Sequence, residues 1–241
     1  MDANSSPRPV PLTVPSVWHA RPLRWAKHED VLLAGQPSRS IYVNRDGWFA
    51  RYKLLHDGSR QIVDFVLPGE MFGLQACVFK SSLYTVTAIT PGSGTLIECD
   101  KLEELLNGDA SFTHALLWSA LLEAARMGEH VTNAGRRSAY ERLAHFFLEL
   151  HARLRRSGLA QGTTFSTPLT QELIADALGL TAIHVNRTLR LLRDQRLIAM
   201  DGKQVTILDF AALSRVCDFD PSYLGDNARA LLDTPRQSSK Q

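Results

Sequence analysis

At Asp100 the chain changes character. Before it lie short runs of β-branched and aromatic residues interrupted every few positions by turn residues; after it come long stretches of helical spacing with few breakers. Strands gathered first and helices second predict an α+β chain with the sheet and the helices in separate units. Ile41-Tyr42-Val43, residues 47–52, 61–66 and 84–89 read as strands. Asn44-Arg45-Asp46-Gly47, His56-Asp57-Gly58, Leu67-Pro68-Gly69 and Pro91-Gly92-Ser93-Gly94 read as the turns around them. This pattern predicts an antiparallel β-barrel or jelly roll over residues 20–110, preceded by a polar, proline-rich extension over 1–19.

The helical half opens with a short helix over 101–106 and a long one over 111–135, which Gly135 is expected to break. In the long helix Leu117, Ala120, Ala124, Met127, Val131 and Ala134 recur at alternating intervals of three and four, the spacing of a heptad seam. Leu116, Leu121 and Leu122 form a second stripe for the barrel to cover. A helix with two apolar faces needs two partners, so the seam predicts a homodimer. Residues 136–156 restart as a helix and 157–164, with two glycines, read as a loop inside a second domain spanning 136–219. Residues 220–241 read as a flexible tail.

Composition narrows the function. The 241 residues are 44% hydrophobic and carry a net charge of +2, but the charge is uneven. Residues 136–208 hold eleven Lys or Arg against six Asp or Glu, whereas residues 1–135 hold twelve against fourteen. A basic second domain behind a slightly acidic first one fits a polyanionic partner for the second domain alone. No apolar run approaches the roughly 18–20 residues that span a bilayer. The three cysteines, Cys77, Cys99 and Cys217, show no Cys-x-x-Cys spacing, so neither a disulfide framework nor a zinc site is expected, and the chain reads as cytoplasmic. Cys77 reads as a small buried residue, with oxidation as its alternative. Signatures of an enzyme are missing: no Gly-x-Ser-x-Gly, no phosphate-cradling Gly-x-x-x-x-Gly-Lys and no His-Glu-x-x-His.

Residues 169–208 carry the functional signal. Thr170 can cap a helix through Leu173, Ile174 and Ala177; Gly179 permits a tight turn; Thr181 can cap a second helix that turns Val185, Leu189 and Leu192 inward. Two short helices about a glycine turn make a helix-turn-helix. The outward face of the second helix then holds Ala182, Ile183, His184, Asn186, Arg187 and Arg190. Arg187 suits a bidentate contact to guanine, Ile183 a thymine methyl, and His184 or Asn186 polar readout, while Thr170, Gln171, Thr181 and the helix N-termini suit phosphates. Residues 197–200 and 205–208 flank Asp201-Gly202-Lys203-Gln204 as a hairpin, a wing whose Lys203 can meet a phosphate.

A barrel, a long helix and a C-terminal winged helix, in this order and over about residues 20–215, resemble the CRP/FNR superfamily of bacterial transcription regulators. Leu67-Pro68-Gly69-Glu70-Met71-Phe72-Gly73 and Leu169-Thr170-Gln171-Glu172-Leu173-Ile174-Ala175, with Gly179, Thr181, Arg187 and Leu197-Ile198, carry the likeness. The resemblance implies a homodimer on a two-fold symmetric double-stranded DNA operator, RNA polymerase as a partner if the protein activates, and an effector pocket drawn from Gly69, Glu70, Ser82, Leu83 and Met127.

Departures from the family pattern limit the effector. Ser82 and Leu83 stand where cyclic-AMP-binding members carry Arg-Ser or Arg-Thr, and Met127-Gly128 where they place base-binding hydroxyls. A buried phosphate without a cation is heavily penalised, so cyclic AMP is not expected. No cysteine precedes Cys77 to hold an iron–sulfur centre, and His19 and His28 are unpaired candidates for haem. Neither cofactor nor metal is therefore expected. The recognition helix also lacks the family's Glu ahead of Arg187, which predicts different flanking bases. The rival reading is a ligand-sensing regulator that docks on proteins, whose binding would be nearly indifferent to salt.

Overall fold

The computed structural model describes residues 21–225. The extension over 1–19 and most of the expected tail, 226–241, lie outside the described residues. In chain order the first domain runs β1 (Arg21–Trp25), β2 (Asp30–Leu32), β3 (Ser40–Asp46), β4 (Phe49–Leu54), β5 (Arg60–Val66), β6 (Met71–Phe72), α1 (Leu74–Phe79), β7 (Thr85–Ala88) and β8 (Gly92–Glu98). Two antiparallel four-stranded sheets, ordered β1-β8-β3-β6 and β2-β7-β4-β5, face each other. Their shared core holds Trp25, Phe49, Phe72, Val86 and Ala88, with Trp25 set edge-on to Phe49 at 5.2 Å.

One expected turn is instead a strand. Gly92, Ser93 and Gly94 pair with β1 and β3 as the first residues of β8. A Cβ on Gly94 would collide with the Val43 carbonyl and the Trp25 ring, so the glycine serves a close backbone approach rather than a chain reversal.

The cysteine reading is corrected as well. Cys77 on α1 and Cys99, just past β8, are joined by a disulfide with their Cα atoms 5.5 Å apart. Their separation of 22 residues resembles no local motif; the sheet brings them together.

Next come α2 (Leu102–Gly108), α3 (Ala110–Arg136) and α4 (Ala139–Arg156). Asp109 caps α3 by accepting from the amides of Ser111 and Phe112, and Ser138 and Glu141 close a capping box on α4. Caps of this kind stabilise a helix by about 1 kcal/mol each. With that cap fixing the next helix at Ser138, α3 runs one residue past Gly135 and the break falls at Arg137. Phe112 and Leu116 of α3 pack with Leu105 of α2 onto Ile41, Val43, Met71 and Ile97 of the barrel. Leu121 departs from expectation: it is exposed and joins the outer face with Leu117, Ala120, Ala124, Gly128, Val131 and Ala134, while Met127 is half-buried.

The second domain continues β9 (Ala160–Gln161), β10 (Thr164–Ser166), α5 (Gln171–Leu178), α6 (Ala182–Asp194), β11 (Ile198–Asp201), β12 (Gln204–Ile207) and α7 (Phe210–Cys217). Its core gathers Phe147, Leu150, Leu154, Val185, Leu189, Leu192, Val205 and Leu213. The loose tail does not begin at Asp220. Residues 221–224 form a 3-10 turn with Leu224 fully buried, and Tyr223 donates to Glu149 Oε2 at 2.8 Å. Apolar and hydrogen-bonding anchors within five residues hold this segment down. No described helix is long and apolar enough to cross a membrane.

Candidate nucleic-acid interface

The second domain builds its exposed face from local signals. Thr170 Oγ1 accepts from the Leu173 amide and Thr181 Oγ1 from the His184 amide, so each hydroxyl starts a helix. Between them Gly179 has φ 64°, the left-handed conformation that lets α5 end and α6 begin at once. Val185, Leu189 and Leu192 are buried, as their spacing requires, together with Thr188, whose hydroxyl donates to the His184 carbonyl at 2.8 Å.

Fixing that stripe inward leaves Ile183, His184, Asn186, Arg187 and Arg190 outward and exposed. Ile183 is 80% exposed, a large apolar side chain held in water among polar neighbours. Ala182 is half-buried, and Arg190 lies 3.9 Å from Asp194 in a loose surface pair. Asn186 Nδ2 donates to Gln171 Oε1 at 3.1 Å, so two residues expected to face DNA separately form one bridge between α5 and α6. The outward face also extends further than residues 181–190. Arg193 lies exposed one step beyond Arg187 and Arg190, and the arginine at every third position was the signal for it.

Beside α6, β11 and β12 form a hairpin closed by Gly202-Lys203, with Gly202 at φ 56°. The Lys203 carbonyl accepts from the Thr167 amide at 2.9 Å, fixing the tip against β10's end while its side chain stays exposed.

The pocket residues sort differently. A cavity of about 240 Å³ lies between the barrel and α3, and Ser82 and Met127 line it. Gly69, Glu70 and Leu83 do not. Glu70 turns instead to Arg153 of α4, accepting from Nε at 3.0 Å and Nη2 at 2.8 Å, and Leu83 is exposed. Arg51 of β4 was missed; an arginine inside the apolar run 48–52 was its only signal. It enters the cavity, where Glu123 of α3 accepts from it at 2.6 Å and Asp64 lies at 3.5 Å. Two carboxylates thus answer Arg51, the one cation among the described residues that line the cavity. A cyclic phosphate would meet Glu123 instead of an uncommitted guanidinium, so these residues do not fit that ligand.

Asp64 also opens a buried ionic network from the barrel into the second domain. It accepts from Arg126 of α3 and Arg153 of α4, each at 3.0 Å. Burial alone would raise the Asp64 pKa, but Arg153, Arg126 and Arg51 together drive it far below the carboxylate range. Glu149 accepts from Arg153 at 3.2 Å and lies 3.1 Å from His130 Nε2. Against the upward pull of burial, His130 and Arg153 lower Glu149 to about 2. Burial opposes the His130 charge in turn, and Glu149 and Asp64 outweigh it, raising His130 above its ordinary value.

With this geometry in place, comparisons with known proteins agree. Residues 22–109 match the cyclic nucleotide-binding domain family and residues 141–216 the Crp-like helix-turn-helix domain family. The nitrogen fixation regulation protein FixK of Rhizobium meliloti is 34% identical over 194 residues, covering 76% of this chain and 85% of that one. The transcriptional activator Anr of Pseudomonas protegens is 29% identical over 193 residues, covering 80% and 78%. The structure of FixK2 from Bradyrhizobium japonicum superposes with a TM-score of 0.75 at 30% identity, covering 82% of this chain and 96% of that one. A β-sandwich, a long helix and a winged helix in sequence, with relatives at this level over most of their lengths, mean that the chain belongs to the CRP/FNR superfamily of transcription regulators.

Proposed function

We propose that two copies of the chain, joined along the outer face of α3, bind a two-fold symmetric DNA operator with each α6 in a major groove. The observation that carries this reading is the face of α6. Ile183, Arg187 and Arg190 stand exposed on a helix whose opposite side is locked into the core, beside a wing that presents Lys203. In this arrangement Arg187 reads a guanine, Ile183 meets a thymine methyl, and Arg190, Arg193 and Lys203 meet phosphates. The Asn186–Gln171 bridge holds α6 against α5, and the two helix N-termini add dipoles for phosphate oxygens. Relatives named as transcriptional activators support contact with RNA polymerase at the bound promoter.

Selection of bound fragments from genomic DNA, followed by affinity measurements on the recovered duplex at rising salt, tests this. A palindromic site and a steep loss of affinity with salt are expected. Binding indifferent to salt, or no enrichment of any sequence, overturns it.

A further inference from the structure

The Cys77–Cys99 disulfide ties α1, a helix that lines the cavity, to the turn that leads into α2. Cys77 belongs to α1, six residues bounded by Gly73 at φ 92° and Lys80 at φ 64°. A helix this short has little stability of its own, so its position depends on what holds it. Leu74, Gln75 and Ala76 of α1 form one wall of the cavity. Gln75 Nε2 donates at 3.0 Å to Glu123 Oε1 of α3, the oxygen that also accepts from Arg51. Cys99, at the other end, opens the 3-10 turn leading into α2, and the Leu105 side chain of α2 packs with Phe112 and Leu116 of α3. Cys77 packs on that same cluster. Both ends of the disulfide therefore lead to the first half of α3. Both cysteines are half-buried, whereas Cys217 is 2% exposed and burial pushes its thiol up to about 12.

We propose that Cys77 and Cys99 are a reversible thiol–disulfide pair whose state sets how firmly α1 grips α3, and through α3 the DNA affinity; this output rests on the DNA-binding reading above. The reductant is a low-molecular-weight thiol of the glutathione class. Its thiolate attacks one sulfur of the pair, the S–S bond breaks, and the departing cysteine sulfur takes the electron pair and then a proton. A second thiolate attacks the mixed disulfide, releasing the other cysteine as a thiol and the reductant as its own disulfide. Two electrons and two protons thus pass to the pair, and a small disulfide reverses the sequence. In the reduced state α1 loses its covalent tie to the base of α2 and is held by side-chain packing on β3 and the Leu105–Phe112–Leu116 cluster and by the Gln75–Glu123 hydrogen bond.

The full chain, equilibrated with reduced glutathione or with glutathione disulfide and counted for free thiols by alkylation and mass, tests this. Reduction is expected to expose two further thiols and to speed amide exchange over residues 74–79. It is also expected to change affinity for the genomically selected duplex by about fivefold or more, the lower end of ordinary coupling between sites. Cys77→Ser and Cys99→Ser should each show the reduced-state exchange and affinity under both conditions, with one further thiol in place of two. Gln75→Leu, which keeps the disulfide but cuts the link to Glu123, should leave the thiol count unchanged and shrink the affinity difference. A disulfide that glutathione does not open, or equal exchange and equal affinity in the two states, overturns the proposal. If neither state binds duplex at low salt, the DNA-binding reading fails by itself, and exchange over residues 74–79 still decides whether the tie is redox-controlled.

Discussion

Arg153 Nη1 donates to Asp64 Oδ1 at 3.0 Å, a buried ion pair between residues 89 positions apart that fastens the first helix of the DNA-binding domain to the barrel. The same guanidinium donates to the Phe65 carbonyl and to Glu70 and Glu149, so its donors are occupied from both domains. Satisfied charges of this kind are costly to break singly, because the remaining partner stays buried without its counter-charge. Arg153→Met should destabilise the protein by about 3–5 kcal/mol, and Asp64→Asn by a similar amount. Combining the two should fall well short of the sum. Denaturant unfolding of the four proteins checks this; a loss below about 1 kcal/mol for Arg153→Met would remove the pair from the account of interdomain stability.

Arg187 and Lys203 are expected to fail differently. Arg187→Ala should relax specificity at one symmetric pair of base positions and cost about 1–3 kcal/mol per half-site. Lys203→Ala should weaken operator and random duplex alike and lower the salt slope by about one per half-site, about two for the dimer. Competition binding separates them, and equal losses on operator and random DNA for Arg187→Ala would refute its base contact.

Ala124 and Val131 lie exposed on the outer face of α3. Replacing both with Glu places like charges opposite each other wherever two copies meet along that face, so the double variant should be monomeric by light scattering at concentrations where the parent is dimeric. An unchanged mass would exclude α3 as the joining surface.

His130 gives the network a pH dependence. Its folded-state pKa lies above the ordinary 6.5, so its charge on Glu149 contributes stability that is fully present below that value and lost as pH rises through the raised one. The stability difference between the parent and His130→Gln should therefore be largest near about pH 6 and shrink toward about pH 9. A difference that grows with pH over that window would show His130 to be neutral in the fold.

The winged helix was legible in the sequence because its determinants are local. Thr170, Gly179 and Thr181 set the helix ends within a dozen residues, the Val185-Leu189-Leu192 stripe decides which side of α6 turns inward, and Gly202-Lys203 closes the hairpin. Each of these depends on backbone conformations and spacings that neighbours along the chain fix by themselves. The exposed outer face of α3 was legible for the same reason, since helical periodicity assigns faces, although placing Leu121 and Met127 required knowing where the barrel lies.

Tertiary structure alone decided the partners of charges and thiols. Glu70 belongs to the motif that suggested a ligand site, but it accepts from an arginine 83 residues away, and Arg51 meets a carboxylate 72 residues away. Cys77 finds Cys99 only because β8 ends beside α1. A side chain's type states what it can pair with; which complementary group reaches it depends on how strands and helices distant in the chain are brought together, and that closure has no local spacing to announce it.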